Sequence, residues 1–133
     1  VNDVAETEAR TFDAEPESLA GVRVFIRERA AEAGLSERTR DDLLLAATEA
    51  AANAILHSGT RSFEVVCRAR PEAVSIEVRD QGTYRRRVRV PSLDGPGGFG
   101  IPLMAALTDE LEIREGTLRR PGTSVKLVKR RSS

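Results

Sequence analysis

Between Leu43 and Leu56 the chain carries Leu, Ala and Ile at almost every angle of a helix, and just beyond Gly59 its apolar residues begin to alternate. A helix apolar around most of its circumference must be covered on several sides, whereas alternation marks strands with one buried face. Phe63, Val65 and Cys67 alternate with Glu64, Val66 and Arg68; Pro71-Glu72 turns the chain; Val74, Ile76 and Val78 then alternate with Ser75, Glu77 and Arg79. A long helix laid against an antiparallel hairpin satisfies both patterns.

The rest of the chain extends the same two layers. Thr7 to Phe12 reads as an edge strand. Glu15-Pro16-Glu17 supplies the proline and acids of a first helical turn, and Leu19, Val22, Phe25, Ile26 and Ala30 follow at helical spacing until Gly34 stops the helix. Ser36 is placed to cap the long helix, which should end around His57-Ser58-Gly59. Its sheet-facing side is expected to be Leu43, Leu44, Ala47, Ala51, Ala54 and Ile55, leaving Leu45, Ala46, Ala52 and Leu56 on the remaining side. Leu103, Met104 and Leu107 suggest a short helix and Leu111 and Ile113 a strand. Gly116 makes a turn, and Thr123 to Val128 form a last strand with Val125 and Leu127 inward. Lys129-Arg130-Arg131 reads as a solvated tail. The expected fold class is α/β (α+β), a two-layer sandwich with a mixed, mostly antiparallel sheet and helices on one face. It forms a single domain over residues 1–133 with its core at about 17–129.

Composition removes several function classes. Lys plus Arg and Asp plus Glu are 21 each, so no global field draws nucleic acid or an anionic membrane surface. Aromatic residues are 4% of the chain, too few for base-stacking platforms, which weakens a nucleic-acid reading of Arg85 to Arg89, Arg119, Arg120, Arg130 and Arg131. The one cysteine, Cys67, excludes an internal disulfide and fits a small core residue in a reducing compartment. No apolar run approaches the roughly 18 residues of a membrane span, and the acidic start Val1-Asn2-Asp3 is unlike a secretory leader, so a cytoplasmic protein is expected. The valine start also fits a segment of a longer or processed polypeptide.

Two polar residues interrupt the long helix. Glu49 and Asn53 are one turn apart, with His57 a turn further, on a helix that is otherwise apolar. A buried polar group without a partner costs about 1 to 3 kcal/mol, so something polar should stand opposite them. One solution is bonding to nearby backbone or water. The other is a ligand, because an Asn carbonyl oxygen suits Mg²⁺ and a Glu carboxylate can orient or deprotonate a nucleophile. Asp80-Gln81-Gly82 ends the Val74 to Val78 strand, where an Asp either caps a turn or meets a ligand. Residues 80–100 then form an irregular stretch too long for a hairpin loop, closing on Gly95-Pro96-Gly97-Gly98-Phe99-Gly100. Glycines before a helix offer free amides to phosphate oxygens, but no Gly-Lys-Ser/Thr follows, so this is not a P-loop.

Taken together, Glu49 and Asn53, Asp80-x-Gly82, Gly98-x-Gly100 and Gly122-Thr123 resemble, in order, the four ATP-site boxes of the histidine-kinase-like (Bergerat) ATPase superfamily. Within it the chain looks most like the anti-sigma-factor serine kinases, through Glu49-Ala50-Ala51-Ala52-Asn53-Ala54-Ile55-Leu56-His57 and the run from Gly98-Phe99-Gly100-Ile101 to Glu112. The resemblance implies an ATP-dependent protein serine kinase that holds ATP and Mg²⁺ under a flexible lid. Asn53 would ligate the metal, and Glu49 would be the catalytic carboxylate acting on a serine hydroxyl. Asp80 would accept the adenine amine, with Gly82 and Thr123 near the base, and Gly98, Gly100 and Ile101 would wrap the phosphates. It also implies a sigma factor and an anti-anti-sigma (STAS-type) protein as partners in a partner-switching circuit, and a homodimer, with no direct nucleic-acid or membrane contact. The basic run Thr83-Tyr84-Arg85-Arg86-Arg87-Val88-Arg89 and Pro102, which lacks an amide donor, depart from the family pattern. A non-catalytic ATP-binding sensor module of a larger regulator is the alternative reading.

Overall fold

The computed structural model describes residues 6–81, 100–117, 119 and 121–131; Gly82, Gly98 and the Arg85 to Arg89 run lie outside them. Along the chain the elements are β1 (Glu6–Asp13), α1 (Ser18–Glu32), α2 (Glu37–His57), β2 (Ser62–Ala69), β3 (Ala73–Asp80), α3 (Gly100–Leu107), β4 (Glu110–Glu115) and β5 (Thr123–Arg130). The five strands form one sheet in the order β1-β2-β3-β5-β4. A mixed, mostly antiparallel sheet was expected, and every strand pair among the described residues is antiparallel. The physical reason is the return path: the chain re-enters as β4 at the edge and doubles back as β5 into the place beside β3. β4 therefore runs in the same direction as β3, and β5 lies between them, antiparallel to both.

Helix boundaries follow local chemistry. Ser36 caps α2 by accepting a hydrogen bond from the Thr39 amide at 3.3 Å. The chain leaves α1 through Gly34 at φ 77° and leaves α2 through Gly59 at φ 71°, backbone states that side chains disfavour. Glu17 stands at the start of α1 without a side-chain cap, which leaves that end to the preceding Pro16 turn.

One core lies between the helices and the sheet. Val22, Phe25, Ile26 and Ala30 of α1 and Met104 of α3 enter it beside Leu43 and five alanines of α2, above Val65, Ile76, Val78 and Leu127. The buried side of α2 is Leu43, Ala46, Ala47, Ala50, Ala51 and Ala54, while Leu44 and Ile55 are only half-buried, and Ala46, assigned to the other side by the sequence, is inside. The real face is centred on the alanines because small side chains bring the helix axis close to the strands. Phe12 stacks on Phe63 at 5.8 Å between centroids and meets Phe25 edge-on at 6.2 Å, so the core begins at the edge strand, ahead of residue 17.

The opposite sheet face has no helix among the described residues and carries a ladder of ion pairs. Arg68 and Arg79 each reach Glu77 at 3.0 Å, and Arg79 reaches Glu64 at 3.4 Å. Val66 lies among them on this face, cross-strand from Glu77, and is buried although it points away from the core. Burial alone would raise the Glu77 pKa, but hydrogen bonds from Arg79 and Arg68 outweigh it and hold the carboxyl below its ordinary value. Cys67 is buried, and burial pushes its thiol up to about 11.

The C-terminal basic residues are not a solvated tail. Lys129 and Arg130 belong to β5, and Arg131 bonds the Arg70 carbonyl at 3.0 Å and also the Ala33 carbonyl. Strand pairing and the carbonyls of Arg70 and Ala33 hold them where a charge run alone suggested solvent.

A group whose folded pKa is depressed stabilises the protein above its unfolded pKa, and that contribution disappears as pH falls through the carboxylate range. Glu77→Gln should therefore cost about 1 kcal/mol at pH 7 and almost nothing near pH 3. Urea unfolding at both pH values measures the difference, and equal costs would show that the ladder's charge is not the source.

Candidate functional site

β3 ends and β5 begins at the same end of the sheet, and their register sets Asp80 directly opposite Thr123. The row continues to Glu115 on β4, paired with Thr123. This row faces the helical layer, since it keeps phase with the inward pairs Val78–Val125 and Ile76–Leu127. Asp80 and Thr123 are each only 5% exposed. Thr123 Oγ1 has no hydrogen-bond partner, one of three buried side-chain polar atoms so placed among the described residues. An orphaned hydroxyl costs about 1 to 3 kcal/mol, and a site is where such a cost is tolerated.

Gly122 holds this end together. Its φ of 141° is disfavoured for side chains, and a Cβ there would sit 3.1 Å from the Asp80 carbonyl oxygen. The β4–β5 connection closes beside it through a 2.6 Å bond from the Gly116 amide to the Gly122 carbonyl. An open depression lies at this end of the sheet, lined by Asp80, Gln81, Glu115, Gly116, Gly122 and Thr123 among others. The sequence marked Gly122 only as the residue before Thr123; its steric role depends on the Asp80 carbonyl, which no local pattern reveals.

Glu49 and Asn53 sit on the second half of α2, which packs against α1, α3, β2, β3 and β5. Both are half-buried, and neither makes a side-chain hydrogen bond among the described residues. The expectation that they need partners assumed a helix apolar and covered all round. In fact Leu45 is 46% and Leu56 70% exposed, so α2 has a solvent crest, and the two polar residues stand on its flank between solvent and core. His57 is half-buried in the last turn. Gly100 and Ile101 open α3, and Ile101 is largely exposed. Gly82 and Gly98 lie outside the described residues.

Across most of its length the chain matches a known family. The sequence profile of the histidine kinase-like ATPase domain covers residues 12–129. The chain belongs to that family. Its fold is also that of the crystal structure of the RsbU and RsbW domains of Rv1364c from Mycobacterium tuberculosis, with TM-score 0.72 and 24% identity over 96% of this chain. The chain spans 33% of that one. No curated protein matches it significantly in sequence. No helix among the described residues is long and apolar enough to cross a membrane.

As a histidine kinase-like ATPase domain, the chain is of an ATP-binding type, and the donor set can be tested against that ligand. The Thr123 hydroxyl and the Asp80 carboxylate can bond an aminopurine edge, with the orphan thereby satisfied. No group of three or more His, Cys, Asp or Glu side chains able to hold a metal occurs among the described residues.

Thr123→Val keeps the shape and removes the orphan, so the ligand-free protein should melt at the same or a slightly higher temperature while ATP-induced stabilisation shrinks. Thermal scans with and without ATP check this; undiminished ATP stabilisation would separate Thr123 from the ligand. Gly122→Ala should destabilise by about 1 to 3 kcal/mol, through its backbone angle and the Asp80 contact.

Proposed function

We propose that this domain is an ATP-dependent protein serine kinase of the anti-sigma-factor type, which phosphorylates an anti-anti-sigma protein and alternates between that partner and a sigma factor. The observation that carries the nucleotide part is the buried, unpartnered Thr123 hydroxyl opposite Asp80. The kinase part rests on Glu49 and Asn53, half-buried on one side of α2, and on the resemblance of the Glu49 to His57 and Gly98 to Glu112 runs to the serine kinases of the superfamily.

In this reading Asp80 accepts the exocyclic amine of adenine, Thr123 and Gly82 fit the base, and Gly98, Gly100 and Ile101 meet the phosphates with backbone amides. Asn53 would hold Mg²⁺, which when bound neutralises phosphate charge. Glu49 accepts the proton of the attacking serine hydroxyl. The serine oxygen then bonds to the γ-phosphorus, the bond from that phosphorus to the bridging oxygen breaks, and ADP carries away the electron pair. Because α2 is anchored by its alanine face, Glu49 and Asn53 are carried on a rigid element, which orientation-dependent catalysis requires.

A second reading is a sensor module of a larger regulator, in which nucleotide binding alone controls a partner; in the matched structure the RsbW domain likewise stands with an RsbU domain.

Calorimetric titration with ATP, with and without Mg²⁺, should show binding that weakens roughly tenfold or more without the metal or in Asn53→Ala. Absence of ATP binding by the unmodified domain would reject the nucleotide site. Glu49→Gln should retain ATP and lose phosphate transfer to an anti-anti-sigma protein by about a hundredfold or more. ATP binding by the unmodified domain with no phosphoserine on the partner would favour the sensor.

A further inference from the structure

One ammonium joins three elements on the side of the fold away from Thr123. Lys129 Nζ donates to the Leu107 carbonyl at 2.9 Å and to Asp42 Oδ2 at 3.2 Å, with its side chain 17% exposed. Leu107 is the last residue of α3, so the lysine satisfies a carbonyl that the helix leaves open and puts a cation at the negative end of its dipole. The neighbouring backbone is fixed as well. The Asp109 amide donates to the Val128 carbonyl at 2.8 Å, and the Asp109 carboxylate accepts from the Arg130 amide at 2.5 Å. The exit of α3 is thus tied to Val128, Lys129 and Arg130 of β5, and through Lys129 to α2.

The other end of α3 is built differently. Met104 is buried in the middle, but Ile101 and Pro102 of the first turn are exposed, and Pro102 has no amide hydrogen. Asp42, Glu49 and Asn53 are spaced i, i+7 and i+11, which sets them within about 40° of one another around α2. From Asp42 to Glu49 the helix rises about 10.5 Å, and the same rise separates Leu107 from Gly100 along α3. With Leu107 tied to the level of Asp42 and α3 packed against α2, an α3 that runs back along α2 brings its first turn to the level of Glu49. α3 is two turns long and is held by Met104 in the core and by Lys129 at its exit, so a small tilt at Lys129 moves its first-turn amides by a comparable angle.

We propose that Lys129, with Asp42, is a positioning residue: it fixes the direction of α3, and thereby the distance between the first turn of that helix and Glu49 and Asn53. This rests on the reading of that first turn as the phosphate-facing part of the nucleotide site. Lys129 touches no nucleotide in this assignment and acts only through α3.

The test compares ligands that share the base and differ in phosphate. Lys129→Met should weaken ATP binding about tenfold and leave adenosine binding within about twofold, because Asp80 and Thr123 lie on strands that the substitution does not move. Lys129→Arg, which keeps donors for both acceptors, should restore ATP affinity to within about threefold. Asp42→Asn should give a smaller loss of the same kind and covers the case in which Lys129→Met fails to fold. Amide exchange in residues 100–104 should accelerate in Lys129→Met relative to the strands. Equal weakening of ATP and adenosine, or unchanged ATP affinity with unchanged exchange, overturns the proposal while leaving the nucleotide site intact. Failure of the unmodified domain to bind ATP overturns the site reading itself, and the positioning role falls with it.

Discussion

The close seating of α2 on the sheet is the constraint on which the other features depend. Five alanines and Leu43 form its buried face, so the helix approaches the strands more nearly than larger side chains would permit. Once it is seated there, α1 and α3 pack on its two sides and β2, β3 and β5 run beneath it. Its flank, with Glu49 and Asn53, is then set by the core and not by any local hydrogen bond. Full burial of a side chain such as Leu43 is worth about 1.5 to 3 kcal/mol, comparable to the cost of the orphaned hydroxyl at Thr123, so the domain can tolerate an unsatisfied group at its site.

The two sheet faces solve opposite problems. On the helical side apolar rows run continuously to Val78 and Val125, then stop at Asp80 and Thr123, so the core ends where polar chemistry begins. On the other side Glu64, Arg68, Glu77 and Arg79 neutralise one another around the buried Val66. That arrangement leaves the face compatible with water without a second layer of helices.

Much of this architecture was legible because it follows from local rules. Ser36, Gly34 and Gly59 bound the helices as caps and stops, the period change after Gly59 marks the hairpin, and the inward positions of β2, β3 and β5 alternate as written. Where the reading slipped, a non-local contact was responsible. The buried face of α2 takes in Ala46 and Ala50 because small side chains let the helix seat close on the sheet. Phe12 joined the core through rings contributed by Phe25 and Phe63. The basic C-terminus read as solvated because its acceptors, Asp42, Arg70 and Leu107, are dispersed along the chain.

By itself the sequence determined the element types, the two-layer class and the residue types from which an ATP site can be built, since spacing, capping and alternation are properties of neighbours along the chain. Tertiary structure decided the all-antiparallel pairing of the described strands, the confrontation of Asp80 with Thr123, the steric need for Gly122 and the tie from Lys129 to Asp42 and Leu107. Each of these joins atoms brought together only by strand register or helix packing. The energy that fixes them comes from burying the whole core at once, so no local stretch of sequence carries it.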